Sequence, residues 1–127
     1  MESLNYGNII GALFRAMPEA KTAYDTWDMP GETLPYIVFG FLEESFLTPI
    51  VTSSTHAELR TRIFEFLEQM AASDHTEVNN LLWIGLFESW AANGTIATSL
   101  EHMGPQTKSL AKKAIQALKP HKVLGRD

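Results

Sequence analysis

The spacing of the apolar residues is the feature that most constrains the fold of this chain. Near its start, apolar side chains recur three, four, seven, eight and eleven residues after Tyr6, which places them on one face of an α-helix. No stretch alternates apolar and polar residues between turn signals, as a half-buried strand would. The sequence therefore predicts an all-α fold. The first apolar stripe consists of Tyr6, Ile9, Ile10, Leu13, Phe14 and Met17.

Proline and glycine divide the rest of the chain into further helical segments. Pro18 and Pro35 suit the first turn of a helix, because a proline lacks the N–H that would be unpaired there. Asn93-Gly94 is typical of a helix stop, and Gly104-Pro105 breaks the chain once more. We predict about seven helices in one domain, packed as antiparallel pairs because the loops between them are short. The later segments cover about residues 18–27, 36–51, 55–70, 76–92, 95–102 and 106–119.

Two of these predicted helices are apolar on nearly every side. A helix of this kind over residues 36–51 is either central or lies against a partner, and Pro49 is expected to kink or end it near Leu47. The helix over residues 76–92 is expected to be the most buried one, with Trp83 and Phe87 largely buried.

Length and composition indicate an ordinary globular domain. The chain has 127 residues, of which 45% are hydrophobic and 20% charged, so it can bury a core without disulfides or metals. We assign residues 1–120 to the helical domain and residues 121–127 to a short basic tail that is expected to be flexible. The absence of cysteine excludes disulfide scaffolds, thiolate nucleophiles and cysteine zinc sites.

The hydrophobic stretches are short. The longest, Leu34 to Leu42 and Leu81 to Phe87, cover about half or less of the roughly 20 residues that a membrane span requires. The first residues contain neither a basic segment nor a long apolar segment of the kind found in secretion signals. We therefore expect a cytoplasmic protein that does not bind membranes.

Charge is distributed unevenly along the chain. Residues 1–107 contain 14 acidic and 4 basic side chains, a net charge of −10, whereas residues 108–127 contain 1 acidic and 6 basic ones, a net charge of +5. A body this acidic repels phosphate backbones, so nucleic acid is not an expected partner. A basic protein complements it better.

Motifs that would carry catalysis or metal binding are missing. His56-Ala57-Glu58 and His75-Thr76-Glu77 match the opening of the zinc deaminase signature, but that signature also needs two cysteines. Adjacent Glu43 and Glu44 have no Glu-x-x-His partner of the kind that a carboxylate metal centre requires. The sequence has no nucleophile elbow, P-loop, dinucleotide loop or zinc helix. We expect no enzymatic activity, cofactor or metal.

A polar stripe on the predicted helix over residues 76–92 is the candidate binding site. Glu77 and Glu88 are 11 residues apart, about 20° on a helical wheel, with Asn80 beside them. The stripe is either an ordinary solvent edge or an acidic strip that docks a partner protein. The predicted partner-binding residues are Glu43, Glu44, Asp74, Glu77, Asn80 and Glu88.

Short fragments spread along most of the chain carry a resemblance to a known group of proteins. They are Leu13-Phe14, Pro18-Glu19, Tyr24, Glu32-x-Leu34-Pro35 leading to Phe39-Gly40, Glu77-Val78-Asn79-Asn80-Leu81-Leu82, Phe87-Glu88 and Met103-Gly104-Pro105. With these fragments the chain resembles a small bacterial all-helical family that is similar to immunity proteins encoded beside polymorphic toxins.

The resemblance implies a stoichiometric inhibitor that neutralises a cognate toxin, expected to be a basic domain, by covering its active site or blocking its assembly. Two other functions stay open. One is a helical adaptor that receives a partner helix within a larger assembly. The other is an enzyme with acid and base residues such as Glu43 and Glu88. The oligomeric state is also open.

Overall fold

Seven helices make up the part of the chain that the structure describes. The computed structural model describes the backbone of residues 4–28 and 33–124, and the side chains of these residues as far as Ala117. No strand occurs in these ranges, so the prediction of a single all-α domain of about seven helices is confirmed. The helices are α1 (Ile9–Ala16), α2 (Pro18–Asp25), α3 (residues 35–51), α4 (Ala57–Ala71), α5 (residues 76–93), α6 (Thr95–Ser99, continued by the 3-10 turn Leu100–His102) and α7 (Pro105–Leu124).

Proline and glycine set several of the helix boundaries. Helices α2, α3 and α7 begin at Pro18, Pro35 and Pro105, where a proline fits because no intrahelical N–H bond is lost. Gly94 separates α5 from α6 with φ +84°, a left-handed conformation that glycine adopts without a Cβ clash.

Pro49 does not end α3. The helix consists of Pro35–Leu42, a π-helical segment Glu43–Leu47 and the final turn Thr48–Val51, which contains Pro49. A proline cannot donate to the carbonyl four residues earlier, and the wider π-helical turns accommodate this loss without ending the helix. The sequence predicted neither this π-helical segment nor a second one, Trp83–Phe87 in α5.

The last helix is longer than predicted. Helix α7 passes Pro120 and ends at Leu124, whereas the sequence predicted an end at Lys119 and a tail over residues 121–127. Residues 121–124 of that tail are helical, and residues 125–127 lie outside the described part of the chain.

Helices α4 and α5 run antiparallel, whereas α3 and α5 run parallel. Close to the loop between α4 and α5, the Asn79 side chain donates to the Met70 carbonyl at 2.9 Å. Towards the other end, Phe64 of α4 meets Trp90 of α5, so this pair is antiparallel. Helix α3, which is not consecutive with α5, places Phe39 against Gly85 and the later Thr48 against Trp90.

The core centres on α5. Leu82, Leu86, Phe87 and Trp90 are fully buried, so the prediction for Phe87 is confirmed. Trp83 is partly buried and packs against this core, less deeply than Phe87. The indole that fills the centre belongs to Trp90, seven residues later, on the far side of the π-helical segment.

A carboxylate of α4 caps the start of α7. Glu68 accepts the backbone N–H of Gln106 at 3.0 Å and that of Thr107 at 2.9 Å, and the Thr107 hydroxyl at 2.7 Å. These N–H groups have no partner inside their own helix. The cap therefore joins two helices that are far apart in sequence.

Candidate protein-binding surface

Exposed apolar side chains concentrate on two neighbouring helices. Among the residues whose side chains the structure describes, four large hydrophobic ones are exposed, and all belong to α3, to the residue before it, or to the π-helical segment of α5. They are Leu34 (57% exposed), Tyr36 (37%), Ile37 (41%) and Ile84 (49%). Clustered exposed apolar residues mark interaction sites more often than scattered ones do.

Helix α3 leaves these residues outside because its other faces are already packed. Val38, Phe39 and Leu42 lie in the core, and Phe41 stacks on Trp27 with ring centroids 4.6 Å apart. On the outer face, the Tyr36 ring lies 6.1 Å from the ring of Tyr6. Burial raises the pKa of Tyr36, and the neighbouring Tyr6 adds to this rise.

Helix α5 contributes one exposed stripe. Glu77, Asn80, Ile84 and Glu88 are exposed at spacings of three and four residues, so they follow one edge of the helix. At 1.5 Å of rise per residue, Glu77 and Glu88 are about 16 Å apart along the axis. The sequence predicted this edge, but not the isoleucine in its middle. We call Leu34, Tyr36, Ile37, Gly40, Glu44, Glu77, Asn80, Ile84 and Glu88 the α3–α5 surface.

No cation lies within the two helices that form this surface. Helices α3 and α5 contain no lysine or arginine, and between residues 22 and 107 only Arg60 and Arg62 carry these side chains. Arg62 pairs with Glu19 at 2.6 Å and with Glu58 at 2.9 Å, while Arg60 donates to the Ser53 carbonyl. Both arginines therefore interact with groups outside the α3–α5 surface.

The predicted site residues fall into three groups. Glu44 borders a shallow depression with Ser89 and Asn93, so it lies near the end of α5 that carries Glu88. Asp74 and Glu77 are exposed at the opposite end of α5, and exposed Asn80 lies between Glu77 and Glu88. Glu43 borders the same depression but is mostly covered. It is only 8% exposed, and its carboxylate accepts the Thr48 hydroxyl at 2.7 Å.

Glu43 belongs to a polar link that joins α3 to α5. The Thr48 hydroxyl donates to Glu43 and accepts the indole N–H of Trp90 at 2.8 Å. Each buried polar atom of this link therefore has a partner, as burial requires. The link holds the two helices that carry the α3–α5 surface beside each other.

The His-x-Glu triplets lie at helix starts. His56 and His75 are the residues before α4 and α5, and both are exposed. In the described part of the chain, no group of three or more histidine, aspartate or glutamate side chains could hold a metal ion.

A pocket of about 420 Å³ lies between α4 and the segment before α7. Its polar lining includes Arg60, Glu65, Glu68 and His102. Arg60 bonds to a backbone carbonyl and Glu68 caps α7, while the His102 ring stacks on Phe64 with centroids 5.8 Å apart. These interactions tie Arg60, Glu68 and His102 to the fold rather than directing them together at a ligand.

Comparisons with known proteins give no information on function. No protein-family model matches this sequence, and neither the curated proteins nor the solved structures that were searched give a match. Within the described residues, every helix is too short or too polar to cross a bilayer.

Proposed function

We propose that this chain is a non-catalytic protein-binding domain, and specifically an immunity protein that neutralises a cognate bacterial toxin by direct binding. The observation that supports binding is the α3–α5 surface, where exposed apolar side chains share two helices with exposed carboxylates and these helices contain no lysine or arginine. The specific role follows from the sequence resemblance described above.

The physics of association suits such a partner. An acidic surface attracts a basic domain and speeds the first encounter. Once the partner is close, burial of Ile37, Ile84 and Tyr36 would supply the apolar contact that keeps the complex together, with the aromatic ring as an anchor. A toxin surface with both basic and apolar residues would thus provide the electrostatic attraction and the apolar contact at one site.

An adaptor role is the second candidate, because exposed apolar residues on a helix are also typical of subunits that receive a partner helix. The two functions differ in their consequence for the cell. An adaptor joins an assembly without changing the activity of its partner, whereas an immunity protein abolishes that activity.

Co-expression tests the proposal. The protein encoded by the neighbouring upstream gene is expressed in bacteria alone and together with this chain, and growth and complex formation are measured. We expect the neighbouring protein to stop growth by itself, and this chain to restore growth while forming a complex of fixed stoichiometry. A neighbour that is harmless, or toxic despite this chain, would contradict the immunity function.

Charge reversal on the α3–α5 surface is expected to slow binding. In the triple variant Glu44→Lys, Glu77→Lys and Glu88→Lys, the association rate should fall by about tenfold or more near 0.1 M salt, because electrostatic steering typically contributes factors of about 10 to 1,000. The difference from the unmodified protein should shrink at 1 M salt, where the screening length drops from about 10 Å to about 3 Å. Surface plasmon resonance with the toxin measures both effects.

The matched control reverses three exposed carboxylates elsewhere: Asp25→Lys, Glu65→Lys and Glu101→Lys. Both variants change the net charge from −5 to +1, so they separate the local surface from the overall charge. If the control slows association as much as the triple variant, the acidic residues act only through total charge and the α3–α5 surface is not the docking site.

A further inference from the structure

Gly40 lies in the middle of α3 without a structural reason for the missing side chain. A glycine inside a helix is less favourable than alanine by about 1 kcal/mol, and a Cβ built at Gly40 meets nothing within 4 Å. Other glycines have clear reasons. Gly94 adopts φ +84°, and a Cβ at Gly104 would come within 2.5 Å of the Glu68 carboxylate.

The surroundings of Gly40 belong to the α3–α5 surface. Tyr36 and Glu44 are four residues away on either side and Ile37 is three residues away, so all three share the outer face of α3 with Gly40. Across the helix contact, Phe39 lies against Gly85, the residue after exposed Ile84. Gly40 thus leaves a gap between apolar and acidic side chains, beside the line where α3 and α5 meet.

We propose that this gap receives an amphipathic helix of the partner protein, which lies along α3 and α5 with an aliphatic side chain against the backbone at Gly40. This inference rests on the proposed function, and it names the element of the partner that is bound. Gly40 lowers the stability of α3, but a side chain at this position would keep the partner helix away.

The dimensions and charges of the α3–α5 surface indicate the character of this helix. The stripe from Glu77 to Glu88 is about 16 Å long, the length of about three helical turns. Helices that bind in grooves place aliphatic anchors at positions three, four and seven residues apart. Such anchors on the partner helix would contact the exposed Ile37 and Ile84 of this chain. Lysine or arginine residues beside these anchors would face Glu44, Glu77 and Glu88.

A synthetic peptide tests the inference without the natural partner. The probe is a side-chain-stapled helix of about four turns, with leucine on one face and lysine on the other, and the control peptide has glutamate in place of lysine. Fluorescence anisotropy measures the dissociation constant, and amide chemical shifts from nuclear magnetic resonance locate the site. We expect the lysine peptide to bind, with shifts at Ile37, Gly40 and Ile84, and the glutamate peptide not to bind.

Two glycine variants separate blocking of the groove from general effects. Gly40→Gln should weaken peptide binding by about tenfold, since a side chain fills the gap, and raise the melting temperature by about 3 °C because a better helix former replaces glycine. Gly11→Gln is the matched control, since Gly11 is exposed within α1 and a Cβ there meets only the end of the flexible Arg15 side chain. It should give the same rise in melting temperature and unchanged binding.

Three results would each overturn the inference: no binding of the lysine peptide, chemical shifts confined to other helices, or equal binding by Gly40→Gln and the unmodified protein. These outcomes differ from failure of the proposed function, which would show as a toxin that the unmodified protein does not neutralise. If the chain binds the peptide at the gap beside Gly40 but protects no cell, the adaptor role replaces the immunity function.

Discussion

Replacing Trp90 with alanine is expected to lower the free energy of unfolding by about 3 to 5 kcal/mol, the usual cost of truncating a large aromatic residue in a core. Trp90 is fully buried, packs against Phe64 and Phe87, and donates its indole N–H to Thr48. The substitution therefore creates a cavity and also removes the donor that joins α5 to α3. Urea denaturation followed by circular dichroism gives the change in free energy.

Two further substitutions show how much of this loss of stability comes from the hydrogen bond and how much from burial. Trp90→Phe keeps most of the buried area and loses the hydrogen bond, so we expect a smaller cost of about 1 to 3 kcal/mol. Trp83→Ala should cost less than Trp90→Ala, because Trp83 is only partly buried. A larger loss of stability for Trp83→Ala than for Trp90→Ala would contradict the central position of Trp90 in the core.

Removing the cap of α7 is expected to have the second largest effect on stability. Glu68→Ala leaves two backbone N–H groups and the buried Thr107 hydroxyl without their carboxylate acceptor. Loss of a helix cap costs about 0.5 to 2 kcal/mol, and a buried polar group left without a partner costs about 1 to 3 kcal/mol. We expect a total loss of about 2 kcal/mol in urea denaturation.

Gly104→Ala should disturb the same cap from the other side. A Cβ at Gly104 would lie 2.5 Å from a carboxylate oxygen of Glu68, so the carboxylate must move away from the N–H groups that it binds. Because the two substitutions damage one interaction, their effects should not add. If the double variant loses the sum of the two single losses, Glu68 and Gly104 act independently and the proposed cap is wrong.

The Glu68 cap also predicts how stability depends on pH. Burial alone would raise the pKa of Glu68, but the hydrogen bonds from Thr107 and Gln106 outweigh it, and the pKa is lowered from its usual value. A carboxyl with a lower pKa in the folded state stabilises the fold above its unfolded pKa, and this contribution is lost as the pH falls through the folded pKa. The difference in free energy of unfolding between the unmodified protein and Glu68→Gln should therefore be largest near neutral pH. It should shrink in acid below the usual glutamate range, and a constant difference down to that pH would contradict the prediction.

The sequence predicted the local features of this fold well because short-range rules govern them. Helical spacing of apolar residues identified the helices, proline marked the starts of α2 and α3, and the Asn93-Gly94 pair marked the end of α5. Each of these signals acts within a few residues, through backbone geometry and the periodicity of side chains. The exposed edge of α5 followed from the same periodicity.

Contacts between distant segments required the tertiary structure. Glu43 and Glu44 are identical neighbours in the sequence, yet one is buried against Thr48 and the other is exposed. Trp83 and Trp90 lie on one helix, and the π-helical segment that begins at Trp83 alters the helical register on which a prediction of burial depends.

The candidate surface shows the same division between sequence and structure. Its carboxylates and the apolar character of α3 and α5 were evident from the sequence, which left open whether α3 is central or lies against a partner. In the structure, Ile37 and Ile84 are exposed, because α3 and α5 pack together at Phe39 and Gly85 and leave other faces of the two helices uncovered. Periodicity determines which side chains share a face of a helix, whereas only the arrangement of neighbouring helices determines whether that face meets protein or water.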